Sequence, residues 1–255
     1  AAIATVFAQA VSVAVSLMII RRRGLPFAFG RENIRYRKDL SWKMFRLGLP
    51  LAIQEIVISA SFLIVAGITN TLGLVASASA GVAGRLIIFI MLLPSAYSQS
   101  LSAFVAQNIG AGKLKRAQKA LLHGIWTSLV FASVMFFFSG LHGDWLTSIF
   151  SNEPEVIAGA AQYLMAYAID TFLTSFLFCL IGYFNGCGMT TITLIQGMLG
   201  VVIRIPAALI ISHSSIASLF TIACSTPIST VFQIIFCGIY LAITRKRLRE
   251  KYPEP

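Results

Sequence analysis

The chain has 255 residues, of which 57% are hydrophobic and only 11% charged, with a formal net charge of +11. Its mean hydropathy is +0.83. A soluble domain carries about twice that charged fraction, so a water-soluble globular enzyme, a disordered chain and a nucleic-acid-binding domain are excluded. What remains is an all-α, polytopic transmembrane bundle, because backbone polar groups in lipid must be satisfied within helices or a closed barrel.

Apolar runs long enough to cross a ~30 Å hydrocarbon core fall at 1–20, 47–69, 80–106, 119–142, 157–183, 190–212 and 217–243. This predicts seven spans. Turn signals separate them at Asn70–Gly73, Gly110–Gly112, Asn152–Pro154, Asn185–Gly188 and His213–Ser215. The first run opens without an initiator Met or a charged leader, so the chain is read as a fragment. Between the first two runs lies a basic hydrophilic segment, 21–46, the natural boundary between structural units; its end, Asp39–Arg46, mixes Trp42 and Phe45 with basic residues and reads as an interfacial stub.

Eighteen of the 20 Lys and Arg fall in three places: 21–46, the stretch Lys113–Lys119, and the tail 245–251. If seven helices alternate in direction, all three lie on one side. The opposite connections hold Asp144, Glu153 and Glu155 instead. Cytoplasmic loops collect Lys and Arg, so the first helix is predicted to run inward and the basic tail to be cytoplasmic, in the cell membrane. Membrane lipid accounts for most of the role of these basic runs.

Four charges remain inside apolar runs: Glu55, Arg85, Asp170 and Arg204. A charge in hydrocarbon costs at least ~2.5–3.5 kcal/mol on insertion scales, so such residues face a cavity or a partner. Glu55 lies ~15 Å along its helix, next to Gln54 and one turn after Pro50, which frees a backbone carbonyl. It reads as a cation or proton site, or as a protonated carboxyl bonded to a neighbouring helix. Asp170 shares one helical face with Tyr163, Tyr167 and Thr174, since the steps are 4, 3 and 4 residues. A carboxylate with two phenols suits a wet cavity that takes organic cations, although a hydrogen-bonded helix interface has the same pattern. Arg204 precedes Pro206, on a face with Thr193, Gly197 and Gly200, and either pairs with Asp170 or lines the cavity. Arg85 is placed to snorkel to water. The last run carries a stripe of Ser218, Ser225, Ser229 and Gln233 around Pro227; Pro94 similarly interrupts the third run near Ser95, Gln99 and Ser102.

Other chemistry finds little support. The four cysteines have no metal-ligand spacing and read as reduced packing residues. His123, His142 and His213 sit near span ends. Gly110–Lys113 lacks the spacing of a phosphate loop. No Ser/His/Asp or Cys/His set survives, so the chain is not expected to be an enzyme, and no cofactor is expected.

Several motifs together resemble the multidrug and toxic compound extrusion (MATE) antiporters. They are Leu47-Gly-Leu-Pro50, Asn70-Thr-Leu-Gly73, Ala103-Phe-Val-Ala-Gln107-Asn-Ile-Gly-Ala-Gly112 with Lys113 and Arg116-Ala117, Gly182-Tyr-Phe-Asn-Gly186-Cys-Gly188 and Arg204-Ile-Pro206. The resemblance implies two six-helix lobes around a central cavity, with Na+ or H+ entry driving export of cationic drugs. It makes 1–20 the last helix of an N-terminal lobe absent from this sequence, 21–46 the inter-lobe connection, 47–243 the C-terminal six-helix lobe and 244–255 the basic tail. The missing lobe is then an expected partner. Counted from Pro50, the family's glutamate position falls at Ile58; counted back from Gly186, its aspartate position falls at Thr174. Glu55 and Asp170 each lie one turn earlier on roughly the same face, and they are the residues expected to bear the coupling ion, a Na+ or H+. Gln54, Tyr163, Tyr167, Thr174 and Arg204 are expected to line the cavity. A lipid-linked oligosaccharide flippase of related architecture and a non-transporting scaffold are the alternatives.

Overall fold

A computed structural model describes residues 2–23 and 37–251, with side chains for 6–22 and 37–244. The chain divides into two units, Ala1–Met44 and Phe45–Pro255. The described residues form helices α1 (Ala2–Arg23), α2 (Lys38–Asn70), α3 (Leu74–Gly110), α4 (Leu114–Leu141), α5 (Gly143–Ser148), α6 (Pro154–Gly186), α7 (Thr190–Ser212), α8 (Leu219–Ala223) and α9 (Ser225–Lys251). Among the described residues six segments, against the seven expected, are long and apolar enough to span a membrane: α2, α3, α4, α6, α7 and the α8–α9 pair over Leu219–Thr244. The run expected as the first span is α1, a helix of 22 residues. Of the expected inter-lobe connection, 24–36 lies outside the described residues, as do the side chains of the basic tail from 245 on. Asp39–Arg46, expected to be a stub at the membrane surface, is helical from the start of α2.

The turns follow the chemistry of their glycines. Gly112 (φ 71°) and Gly188 (φ 75°) occupy the left-handed region, which costs a side-chain-bearing residue ~1–2 kcal/mol. At each, the next residue's N–H reaches back five positions: Lys113 to the Asn108 carbonyl at 2.8 Å and Met189 to the Phe184 carbonyl at 2.9 Å. The glycine N–H itself bonds three positions back, to Ile109 and to Asn185. This pairing satisfies carbonyls that a helix end would otherwise orphan. The α6 start uses different chemistry: Pro154 opens the helix, and Glu153 and Glu155 flank it, where negative charge complements the helix N-terminus.

The α6 helix is the pillar of the Phe45–Pro255 unit. Its most apolar stretch is 61% buried, against 22–33% in the other spans. It packs on α3, α4, α5, α8 and α9, while α7 packs chiefly on α9. Two glycines permit the closest approach. A Cβ on Gly182 would lie 2.5 Å from the Ser98 carbonyl oxygen, and one on Gly186 would lie 2.7 Å from that of Ser102. Small residues let backbones approach in this way within membranes, where dispersion contacts drive association. Beside that seam, Leu101, Val105, Leu177, Leu180, Tyr183 and Phe184 form the main apolar core. Outer faces carry Ile56, Leu63, Ile88, Val202 and Ile210, each more than 60% exposed, as surfaces against acyl chains require.

The predicted last run, 217–243, is not one helix. Ser218 caps α8: its side chain accepts from the Thr221 N–H, and the Thr221 hydroxyl accepts from the Ser218 N–H. This reciprocal cap starts a short helix that ends at Ala223, and α9 begins afresh at Ser225. Cys224, between the two, keeps helical dihedrals, and its N–H bonds the Phe220 carbonyl at 3.0 Å.

Candidate functional site

A cavity of about 440 Å3 opens among α2, α3, α6, α7 and α9, wholly within the Phe45–Pro255 unit. A second space of about 830 Å3 lies alongside, between α2, α3 and α6, and shares Glu55, Phe62, Ile87, Met91, Ser95 and Tyr167 with it. These volumes suit drug-sized molecules. Glu55, Gln54, Tyr167, Asp170, Thr174 and Arg204 line the first. Tyr163 lines only the second. Ile58 and Thr174, the positions counted from the motifs, face the same cavity as Glu55 and Asp170, as one-turn neighbours on a helix must.

The two carboxylates differ in surroundings. Glu55 is exposed and takes no hydrogen bond or ion pair among the described residues. The carbonyl that Pro50 leaves unpaired is that of Arg46, nine residues before Glu55 and about 13 Å along the helix; the proline therefore supplies Glu55 with no second ligand. Asp170 is only 3% exposed. Its Oδ1 accepts from the Thr230 hydroxyl at 2.6 Å, and its Oδ2 accepts from Thr174 at 3.1 Å. Hydroxyl bonds to a carboxylate are short and charge-assisted, so α6 and α9 are joined at mid-span by a bond that holds this side chain in place.

The expected Asp170–Arg204 ion pair does not form. Among the described residues the only ion pair within 4.0 Å is Arg37–Asp39, at 3.2 Å on the surface. Arg204 is buried, lies over the Phe62 ring with Cζ 4.4 Å from the centroid, and leaves Nε and Nη1 without hydrogen-bond partners. Both residues line the same cavity, but Asp170 turns its oxygens to the threonines. The two tyrosines of the α6 stripe stack on each other, with centroids 5.3 Å apart. The Tyr167 hydroxyl lies 3.4 Å from Thr226 Oγ1. Arg85 is exposed and lines neither space.

The stripe expected on the last run is displaced. Thr226, Thr230 and Gln233 face the cavity; Ser225 and Ser229 are buried but do not line it, and Ser218 serves as the α8 cap. Gln233 is common to the expected stripe and the cavity lining, while Thr226 and Thr230 take the places expected for Ser225 and Ser229. On α3, Ser95, Ser98 and Gln99 line the cavity beside Pro94. Three glutamines from separate helices form a chain that single-helix spacing does not reveal. Gln54 Nε2 donates to Gln196 Oε1 at 3.5 Å, and Gln196 Nε2 donates to Gln233 Oε1. The expected close approach of the Gly197–Gly200 face is what admits them: a Cβ on Gly197 would lie 2.8 Å from Gln54 Cγ, and one on Gly200 would meet the Gln233 amide.

Residues 50–210 match the MatE family. The chain is 28% identical over 167 residues to the probable multidrug resistance protein YoeA of Bacillus subtilis, covering 64% of this chain and 36% of that protein. It is 30% identical over 169 residues to the FAD transporter of Shewanella oneidensis, covering 65% and 36%. The matched segment thus spans about a third of the length of these relatives. A crystal structure of MATE in complex with MaL6 superposes with a TM-score of 0.84 over 93% of this chain and 55% of that one, at 16% identity, a likeness of fold. Helical architecture, membrane-spanning segments, motif order and family match agree: this chain is a multi-pass membrane protein of the MatE family.

Proposed function

We infer that the chain forms the C-terminal lobe of an exporter of small organic compounds, working by alternating access and not as an enzyme. Inward flow of Na+ or H+ drives the cycle, and the basic connections face the cytoplasm of the cell membrane by the positive-inside rule. The observation that carries this reading is the cavity with two acidic residues and an aromatic wall, set inside apolar spans. Glu55, exposed and without a protein partner, is the group an entering cation meets. Asp170, held by Thr174 and Thr230, is the deeper acceptor. A coupling cation or proton competes with a cationic substrate for these carboxylates, so loading one releases the other. Organic cations fit because ring faces and carboxylates both attract them. The N-terminal lobe expected upstream would supply the opposite wall.

A flippase for pyrophosphate-linked lipids fits less well: among the cavity-lining residues Arg204 is the only Lys or Arg, whereas a pyrophosphate headgroup calls for several. The test is full-length protein in proteoliposomes under an imposed Na+ or H+ gradient, with a fluorescent organic cation as cargo. Gradient-driven accumulation is expected in the wild type and is expected to fall at least about tenfold in Asp170→Asn, the size expected for losing one charge-assisted contact. No accumulation under either gradient would leave a scaffold as the better account, and unchanged transport in Asp170→Asn would remove Asp170 from the cycle.

A further inference from the structure

Arg204 is the cavity group that the cycle above leaves unused. It sits in the second half of α7, 6% exposed, with its guanidinium carbon over the Phe62 ring, 4.4 Å from the centroid. Guanidinium carries five N–H donors and cannot be deprotonated in a protein. Here Nε and Nη1 are buried without acceptors, and no ion pair within 4.0 Å reaches the group among the described residues. A permanently charged group in that setting is costly unless an acceptor arrives. The cavity's own carboxylates do not serve: both Asp170 oxygens are taken by threonines, and Glu55 stands exposed and unpaired. The Tyr167 hydroxyl is turned to Thr226.

We propose that Arg204 is an anchor for the carboxylate of a substrate, so that the preferred cargo is an aromatic zwitterion. This rests on the export reading above and names the substrate class of that same cavity. The acid binds the planar fork, whose geometry matches a carboxylate, the ring lies along Phe62 and Tyr167, and the amine turns to Glu55. One carboxylate neutralises one guanidinium. A phosphate dianion would leave surplus negative charge in a low-dielectric space that already holds Asp170 and Glu55, where like charges repel.

The test compares 4-(aminomethyl)naphthalene-1-carboxylic acid with its methyl ester, which keeps the ring and the amine and removes the anion. Dissociation constants are read from probe fluorescence on purified full-length protein. The wild type is expected to bind the acid about 10- to 100-fold more tightly than the ester, as a charge-assisted bond supplies. In Arg204→Gln the acid-to-ester affinity ratio is expected to fall to near one, and in Arg204→Lys to lie between, because it keeps charge without the fork. A wild-type acid-to-ester ratio near one overturns the proposal without depending on the folding of any variant; so does a ratio that survives Arg204→Gln. Transport of the same pair in proteoliposomes separates the two readings. An intact ratio without gradient-driven transport overturns export and leaves the anchor standing, while transport of both probes at equal affinity does the reverse.

Discussion

Replacing Thr230 by Val tests whether Asp170 is held across the α6–α9 interface. Valine keeps the shape and removes the hydroxyl that donates to Oδ1 at 2.6 Å. Asp170 then keeps only the Thr174 bond, at 3.1 Å within its own helix. A buried acceptor deprived of a charge-assisted donor costs about 1–3 kcal/mol, and the shorter bond is expected to carry the larger share. With Asp170→Ala already in place, the same Thr230 change is expected to cost under about 0.5 kcal/mol, because that hydroxyl has lost its charged acceptor and its remaining bond runs to the Thr226 carbonyl of its own helix. The double-mutant cycle therefore predicts a coupling of about 1–2 kcal/mol, measured by reversible denaturant unfolding of the full-length protein in micelles. Thr171→Val is the control: Thr171 is as deeply buried, but its hydroxyl bonds only the Tyr167 carbonyl one turn back. Additivity within about 0.3 kcal/mol, or an equal loss in the control, would refute the reasoning.

Two further outcomes follow from close packing and burial. Gly182→Ala sets a methyl 2.5 Å from the backbone oxygen of Ser98, which cannot yield as a flexible side chain can. A loss of about 1–3 kcal/mol is expected from overpacking, seen as a lower unfolding midpoint. Gly112→Ala has open space around its Cβ but a φ of +71°, so its expected loss of about 1–2 kcal/mol comes from backbone strain alone and is expected to be matched by other non-glycine residues of any size. Burial pushes the Cys187 thiol, just past the end of α6, up to about 11, with a Tyr183 hydrogen bond opposing. The reactive thiolate is therefore scarce at neutral pH, and maleimide labelling of Cys187 is expected to run about 100-fold slower than for an ordinary thiol at pH 8. It is expected to accelerate tenfold per pH unit until near 11; rapid labelling at pH 7 would show the thiol to be open to water.

Six of the seven expected spans were legible because lipid imposes a simple rule on sequence: a helix must stay apolar for the length of the hydrocarbon core. The glycine turns were legible because only glycine takes a positive φ cheaply, and Gly112 and Gly188 lie where the pattern stops. Two features were not. The α8–α9 break hides inside a continuous apolar run, since Ser218 reads equally as the start of a polar stripe and as a cap; a stripe drawn through Ser225 and Ser229 passes beside Thr226 and Thr230, which line the cavity. The relation of Asp170 to Arg204 was also hidden. Depth along a helix is countable, but the azimuth at which neighbouring helices meet depends on packing, here on Gly182 and Gly186 against α3 and Gly197 and Gly200 against the glutamines. For that reason Thr230, 60 residues from Asp170, is its partner while the nearer arginine is not.

Asp170 and Arg204 meet the same expense, a charge inside an apolar span, in opposite ways. Asp170 receives hydroxyl donors from two helices, so its compensation comes from the protein itself. Arg204 receives one aromatic face, which is worth about 2 kcal/mol when desolvated, less than the insertion cost of ~2.5–3.5 kcal/mol for an arginine at mid-helix. Had the two paired, each would have cancelled the other's field, and the cavity would have held little attraction for a charged solute. Kept apart, they leave both signs of charge against one space, with Glu55 exposed beside them. The glutamine chain, polar but neutral, joins α2, α7 and α9 next to that space without adding charge to it. The remaining deficit at Arg204 is the physical reason to look for an acceptor that comes and goes with the cargo: a group permanently satisfied by its own protein would have no free-energy difference to offer a substrate in one access state over the other.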